Sequence, residues 1–409
     1  MKFHNLLILF VFCSGLAFSQ DIQANDSESQ KDVFRIGIIG TTTSHVPAFV
    51  NVINDPNAEE LFQKFEITAA YKGGMPDNPD SWNRVEQYAA ECSKAGIVLY
   101  RSIEELVENV DGVLLESVDG RPHLEQAKPV IAAGKPMFID KPIAGSLSDV
   151  LEIFRLSEEK GVPIFSASSL RYISGYQKMR NEQPLGKIWG CDTMSPCSLN
   201  RKHPDFYWYG VHGVESLFTI MGSDCLNVSR THTEGVDLAV GLWKDGRIGT
   251  FRGIRQGASG YSAKVYAENG IEEAGTYEGY KPLVVEICKF FDSNIVPIEP
   301  QETINIFAFM SAADESLKLG GIPVSLEETI AKARDEKQIT VELKMINDSS
   351  ILWNDENTEI SDLSEKIDSF KQTGNVVRII LDNRAGLSFE IVEKVLAEID
   401  NAYLANYLY

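Results

Sequence analysis

Between residues 34 and 168, short apolar runs alternate with stretches of helical periodicity, and this alternation restricts the possible folds more than any other feature of the chain. "FRIGII" (34–39) reads as a strand and His45 to Asn54 as a helix; "FEITAAY" (65–71) is the next strand, with a helical stretch near 82–95. "DGVLLES" (111–117), "PMFID" (136–140) and "VPIFSAS" (162–168) continue the strands, with helical patterns at 122–134 and 146–160 between them. Strands separated by helices are parallel strands joined by crossovers, so the segment predicts βαβ units and a doubly wound sheet.

After residue 168 the texture changes. "LAVGLWKDGRIGTFRGI" (238–254) and "GYSAKVYAENG" (260–270) alternate and are broken by turns, as antiparallel strands of a mixed sheet would be. A helix is expected near 210–221 and a pair near 281–292 and 302–319. The predicted fold class is therefore α/β: a parallel Rossmann sheet over 33–168, an α+β domain with an open mixed sheet over 169–335, and a small α/β module over 338–409. In that module "ITVELKMINDSSILWNDENTEISDLSEKIDSF" (339–370) reads as strand, turn, strand and helix. "NVVRIILDNRAGLSFEIVEKVLAEIDNAYLANYLY" (375–409) reads as strand, helix and a closing aromatic strand.

The 409 residues carry a formal net charge of −21, which excludes nucleic acid and anionic membrane surfaces as expected partners. Residues 1–19 combine a lysine, an apolar run too short for a span and the small residues Ala17 and Ser19, the pattern of a secretory signal peptide. A polar linker follows over 20–32, and the expected location is secreted or periplasmic. Five cysteines lie beyond the leader at scattered spacings, so buried free thiols are expected rather than a disulfide framework.

The turn after the first strand reads Gly40-Thr41-Thr42-Thr43-Ser44-His45. A dinucleotide turn uses three glycines, for the bend, for close approach of the pyrophosphate and for helix packing. Gly40 keeps the bend, while Thr42 and His45 fill the other two positions; Thr41, Thr43 and Ser44 add hydroxyl groups to a helix N-terminus that still attracts anions. Both a modified dinucleotide site and a purely structural corner remain open. The second strand ends in Tyr71-Lys72 where an acidic ribose ligand is usual, and Lys72 either meets a 2′-phosphate or is solvated. Asp140-Lys141-Pro142 ends another strand at the sheet edge where ligands of such folds bind, which makes Lys141 a candidate donor to a substrate hydroxyl. His45, His123, His212 and Glu215 offer metal-ligating groups, but no two of these histidines stand at i, i+4, and no metal is expected.

The order strand, glycine turn, helix, "GRPHLEQAKPVIAAGKPMFIDKP" (120–142), helix, strand and "SLRY" (169–172) resembles the family of glucose–fructose oxidoreductase, inositol dehydrogenase and MocA, over residue 34 to about 335. The resemblance implies transfer of a hydride from a sugar or polyol carbon to NAD or NADP. It makes Gly40 to His45, Lys72 and Asp140 cofactor residues and Lys141 the catalytic lysine, with Asp140 in place of a glutamate. It further implies His123 and the pair Arg171-Tyr172 as substrate residues. The family motif Asp-x-Gly-x-His-x-x-Asp is matched by "WYGVHGVE" (208–215), giving His212 as general base, with Trp208 and Glu215 at the two aspartate positions. The tail from Ile339 resembles the periplasmic module of the ExbD and TolR transport proteins, which implies a protein-docking role. A homo-oligomer is also implied, because open sheets of this family pair between subunits.

Two readings follow. The first is an exported NAD(P)-dependent oxidoreductase of a sugar or polyol. The second is a cofactor-free sugar-binding protein, hydrolase or lyase on the same scaffold, in keeping with the altered turn and the scarcity of dinucleotide outside the cell.

Overall fold

The computed structural model describes residues 33–335, 338–371, 376–382 and 388–404. The expected signal peptide (1–19) and linker (20–32) lie outside the described residues. The first half of the chain runs β1 (Phe34–Ile39), α1 (His45–Ile53), β2 (Phe65–Tyr71), α2 (Pro79–Trp82), α3 (Val85–Lys94), β3 (Val98–Tyr100), α4 (Ile103–Val107), β4 (Gly112–Leu115), α5 (His123–Ala132), β5 (Met137–Ile139), α6 (Leu147–Lys160) and β6 (Ile164–Ser166). The six strands pair in parallel in the order β3-β2-β1-β4-β5-β6. The order reverses between β1 and β4, so a crevice opens beyond their carboxyl ends.

Helices cover both faces of this sheet, which is why its central strands are continuous apolar runs: Ile36, Ile38, Leu114 and Phe138 are wholly buried, as are Val113, Leu115 and Ile139. Two short elements, β3 and α4, gave no usable signal in the sequence. β3 is a three-residue edge strand with Val98 53% exposed, too short and too open for a period to register. Gly40 leaves β1 at φ +96, and a Cβ there would meet the Ser117 backbone nitrogen at 2.5 Å. Only glycine serves at this bend.

The second part comprises α7 (Ser174–Asn181), β7 (Ile188–Pro196), α8 (Asp205–Trp208), α9 (Val211–Met221), β8 (Cys225–His232), β9 (Val236–Trp243), β10 (Ile248–Ile254), β11 (Ser262–Ala267), β12 (Gly270–Glu273), α10 (Lys281–Ser293), α11 (Pro300–Lys318), β13 (Val324–Ser325) and α12 (Leu326–Asp335). Its mixed sheet has the order β12-β11-β7-β10-β9-β8-β13, with β7 and β10 parallel and the other pairs antiparallel. α9 is buried along its whole length among β7, β10, α7 and α11. Gly213 permits this packing, since a Cβ there would stand 2.2 Å from the Phe251 ring. On the opposite sheet face, Val240, Leu242 and Ile248 remain exposed, with Ile248 paired to Leu242.

α10 then returns to the first sheet. Leu283, Val284, Ile287 and Phe290 join α1, β1 and β6 in one apolar cluster, and Phe291 stacks on Phe34 at 5.2 Å. The last part is β14 (Gln338–Met345), β15 (Ser350–Trp353), β16 (Glu356–Glu359), α13 (Leu363–Lys371), β17 (Val376–Asp382) and α14 (Phe389–Leu404). Its sheet order is β16-β15-β14-β17, around a small core that includes Val341, Leu343, Ile351, Leu363 and Val395. The expected closing strand is corrected in part: α14 runs on to Leu404, and residues 405–409 lie outside the described residues. The five cysteines among the described residues are buried and free. Among the described residues, no helix is long and apolar enough to cross a membrane.

Candidate active site

A cavity of about 430 Å³ lies where the carboxyl edge of the first sheet faces the second part of the chain. Its floor is the N-terminus of α1 (Thr43, Ser44 and His45) with Val118 and Lys141; its far wall is Trp208, Tyr209, His212, Tyr261, Tyr277 and Tyr280. Asp80 and Arg84 stand at one side, and Ser169, Leu170 and Ser198 close the rest. A larger open groove, about 1510 Å³, runs along α6 and holds none of the predicted site residues.

Lys141 stands two residues past β5, is joined to Pro142 by a cis peptide, and is buried, with Nζ 5.6 Å from the centre of the Tyr209 ring. Among the described residues, no carboxylate lies within ion-pair distance of this ammonium. His212 lines the same cavity from α9, between the edges of Tyr209 at 5.1 Å and Tyr261 at 6.0 Å. Its Nδ1 is 2.7 Å from Ser168 Oγ, which also accepts from the Leu170 amide. With Nδ1–H donating to that oxygen, Nε2 keeps its lone pair for the cavity. Burial, followed by the charges of Lys141 and His45, holds this imidazole well below its ordinary pKa, so it is neutral and able to accept a proton.

Behind the cavity a buried charge network fixes this arrangement. Glu215 accepts from the Ser168 amide at 2.7 Å and from Arg171 Nε at 2.7 Å; Arg171 also donates to Glu302 at 2.7 Å. Arg180 completes the network on Glu302. Several expectations are corrected here. Arg171, Tyr172 and Glu215 do not line the cavity: Arg171 and Glu215 are consumed by each other, and Tyr172, half-buried, packs against the apolar cluster under α10. His123 is also withdrawn from it, its ring held between the Ile143 carbonyl at 3.1 Å and the Ser117 carbonyl at 2.7 Å. It ties the loop after β4 to the loop that carries Lys141. Trp208 does line the cavity, whereas Phe206 and Tyr207 of the same aromatic run are core.

The altered turn is engaged with the protein itself. Thr41 donates its amide to the Lys72 carbonyl at 2.7 Å and its hydroxyl to the Val85 carbonyl at 3.0 Å. Thr42 is wholly buried, and its Oγ1 accepts from the Val118 amide at 2.8 Å, bridging the crevice between β1 and β4. Lys72 points away to an ion pair with Glu86. Between β2 and α3 the chain crosses over the turn: Asn78 donates to Asp119 at 2.8 Å, and Asp77 forms a two-point pair with Arg121 at 2.8 Å. His203 Nε2 lies 3.0 Å from Asp119 on its other side. Gly40, Thr41, Thr42 and Lys72 therefore do not reach the cavity, while Thr43, Ser44 and His45 do.

His45 brings in a group with no counterpart in the sequence reading. Its Nδ1 is 2.6 Å from Asp140 Oδ2 and 3.9 Å from Glu116 Oε2. Burial and the neighbouring Asp140 push the Glu116 carboxyl well up; Asp140, although equally buried, is held down by His45 and Lys141. Glu116 directly follows β4, where an acidic residue reads as an ordinary solvated strand end; nothing in its spacing set it apart.

A parallel sheet with this strand order, a lysine at its edge and a histidine facing it define an α/β protein with a small-molecule site at the switch point. Residues 34–168 match the family described as "Oxidoreductase family, NAD-binding Rossmann fold" (GFO_IDH_MocA). Residues 304–407 match "Biopolymer transport protein ExbD/TolR", a match that starts inside α11. The 1,5-anhydro-D-fructose reductase of Ensifer adhaerens is 34% identical over 106 residues, which is 25% of this chain and 32% of that protein. The inositol 2-dehydrogenase 3 of Saccharopolyspora erythraea is 33% identical over 90 residues, 22% of this chain and 26% of that protein. Both alignments thus span about a third or less of the relative's length. The scyllo-inositol dehydrogenase of Lactobacillus casei, solved with NAD(H) and scyllo-inositol, superposes with a TM-score of 0.58 at 14% identity, covering 72% of this chain and 99% of that one, and shares the fold.

NAD is the cofactor of the family's Rossmann domain. The α1 N-terminus with Thr43 and Ser44 would hold the anionic pyrophosphate of such a cofactor. The Thr42 side chain, bonded to the Val118 amide, fills the position that bare glycine backbone would leave to a pyrophosphate, and the ties from Asp77 and Asn78 to the β4–α5 loop lie beside it.

Proposed function

We propose that this chain is an oxidoreductase of a sugar or polyol, with the reacting hydroxyl held between Lys141 and His212. The observation that carries the reading is that both side chains line one cavity of about 430 Å³, a size suited to a small ligand. His212 Nε2 takes the hydroxyl proton as carbon–oxygen double-bond character develops, and the Lys141 ammonium steadies the oxygen. Trp208, Tyr209 and Tyr261 offer ring faces and hydroxyl groups to a pyranose or inositol ring. NAD bound along the α1 N-terminus would supply the hydride acceptor.

Titration of the purified full chain with NADH and NADPH, followed by fluorescence, tests the reading. Saturation in the micromolar to sub-millimolar range, where enzyme substrates commonly saturate, is expected. No binding at higher concentration removes it. Lys141→Ala and His212→Ala should each lower turnover by roughly 10²- to 10⁴-fold with the fold intact, as loss of a positioned proton-transfer group does; full activity in either variant overturns the assignment.

The closed corridor over Thr42 favours a second reading, in which the same two residues act on a sugar without a dinucleotide. Sugar binding by calorimetry in the absence of any nucleotide, together with failure of the NADH titration, selects it. We further propose a secreted or periplasmic location from the leader, a homo-oligomer through the exposed face of Val240, Leu242 and Ile248, and protein docking through residues 338–409. Cell fractionation and sedimentation velocity test the first two, and a pull-down with the separate tail tests the third.

A further inference from the structure

We propose that His45, Glu116 and Asp140 form a binding site for a divalent first-row transition-metal ion at the base of the cavity. The three residues come from three separate elements, the start of α1 and the ends of β4 and β5, and their ligand atoms lie within 4.8 Å of one another. All three are buried: Glu116 is fully inaccessible, Asp140 is 2% exposed and His45 is 7% exposed. Among the described residues, no hydrogen-bond donor reaches either carboxylate oxygen of Glu116. His45 Nδ1 is also without a hydrogen bond, because Asp140 Oδ2 lies off the axis a ring N–H would need. Buried carboxylates are kept in folded proteins by donors or by metal ions. Asp140 Oδ1 accepts from the Lys141 amide at 2.8 Å, but both Glu116 oxygens and His45 Nδ1 are left without a hydrogen bond, and these atoms converge with Asp140 Oδ2.

The chemistry of the set narrows the ion. One imidazole with two carboxylates suits Zn²⁺, Mn²⁺, Fe²⁺ or Co²⁺, whereas Mg²⁺ and Ca²⁺ prefer oxygen alone. Ligands about 2.0–2.2 Å from such an ion stand roughly 3–4 Å apart. The 3.9 Å between His45 and Glu116 already meets that spacing, and the 2.6 Å between His45 and Asp140 needs a small opening. Three protein ligands leave coordination positions vacant, as catalytic rather than structural sites do. Of the three, His45 lines the cavity that Lys141 and His212 share, so a vacant position on the ion would be filled from that side by water or the paired hydroxyls of a polyol. The third-glycine position of the turn is thus occupied by a ligand-bearing side chain.

The test uses the full chain stripped with EDTA, then dialysed against Zn²⁺ or Mn²⁺. One equivalent of bound metal by elemental analysis is expected, with affinity read by calorimetry. Glu116→Gln and His45→Asn should each weaken it by at least about tenfold, the lower limit for changes even one shell further out. Lys72→Ala, on an exposed ion pair, should leave it unchanged. No uptake by the unaltered protein, uptake unaffected by Glu116→Gln, or tighter binding of Mg²⁺ than of Zn²⁺ and Mn²⁺ overturns the proposal. Should the variants fail to fold, Co²⁺ added to the unaltered chain decides: visible absorption characteristic of protein-bound cobalt supports the site, and a spectrum of the aqueous ion overturns it. None of these readouts depends on NAD or on turnover, so they separate the metal from the oxidoreductase reading.

Discussion

Thr42 shows how far one side chain can alter a turn whose backbone is kept. Glycine at this position leaves bare backbone for a pyrophosphate, whereas the threonine hydroxyl spans the crevice to the Val118 amide. A neutral hydrogen bond of this kind is worth about 1 kcal/mol, so Thr42→Gly should tighten NADH binding by roughly fivefold in the fluorescence titration. Weaker binding would mean that the hydroxyl serves the cofactor directly. At His212, burial together with Lys141 and His45 favours the neutral ring, and Ser168, Tyr209 and Tyr261 face it without adding a carboxylate. The proton lost in the folded state is regained only as pH falls below the ordinary imidazole range. Turnover should therefore hold through pH 6.5 and decline at more acid pH; a profile with its acid limb at 6.5 would assign the base elsewhere. Lys141 and His212 were legible because each stands in a motif. Glu116 was not, since an acidic residue at a strand end has no meaning until the neighbouring strands are in place.

Among the elements, the connection between β2 and α3 was the least readable. The sequence suggested one helix near 82–95; the chain instead breaks at Asn83 and Arg84, and the short α2 before the break folds across the turn. Its anchors are long-range, with Asn78 reaching Asp119 over 41 positions and Asp77 reaching Arg121 over 44, which no local pattern encodes. Burial opposes ionisation of Asp119, but His203 and Arg121 hold its pKa well below the usual carboxylate value. A carboxylate lowered on folding stabilises above its unfolded pKa and loses that contribution as pH falls through the lowered value. The anchor should accordingly survive pH 4 to 5 and release only in stronger acid. Asp119→Asn should raise amide exchange over 76–84 at neutral pH, with β1 and β4 still protected; unchanged exchange would show that Asp119 does not hold the segment.

For the molecule as a whole, no described residue that lines the cavity lies beyond Tyr280, so the tail after Asp335 is expected to be dispensable to it. A chain ending at Asp335 should bind the same small ligands with affinities within about twofold of the full chain, the scatter expected for distant, independent changes. A larger loss, measured by calorimetry, would place the tail in the ligand's path. The alternation of strands and helices made the first sheet plain from sequence, and the turn-broken segments announced the mixed sheet. Which aromatics face the cavity was not decidable, because Phe206 and Tyr207 are core while Trp208 and Tyr209, next in the chain, are not.

The return of α10 has a consequence for how the protein is assembled. Tyr280 packs on the His45 ring at 4.6 Å and on Phe49 at 6.2 Å, and Phe290 covers Phe165 at 5.0 Å. The flank of the nucleotide-type half is thereby sheathed by a segment made more than a hundred residues later. During synthesis that half must wait, greasy side outward, until the remainder of the polypeptide has emerged. An excised 33–168 piece is expected to clump rather than behave as an autonomous module.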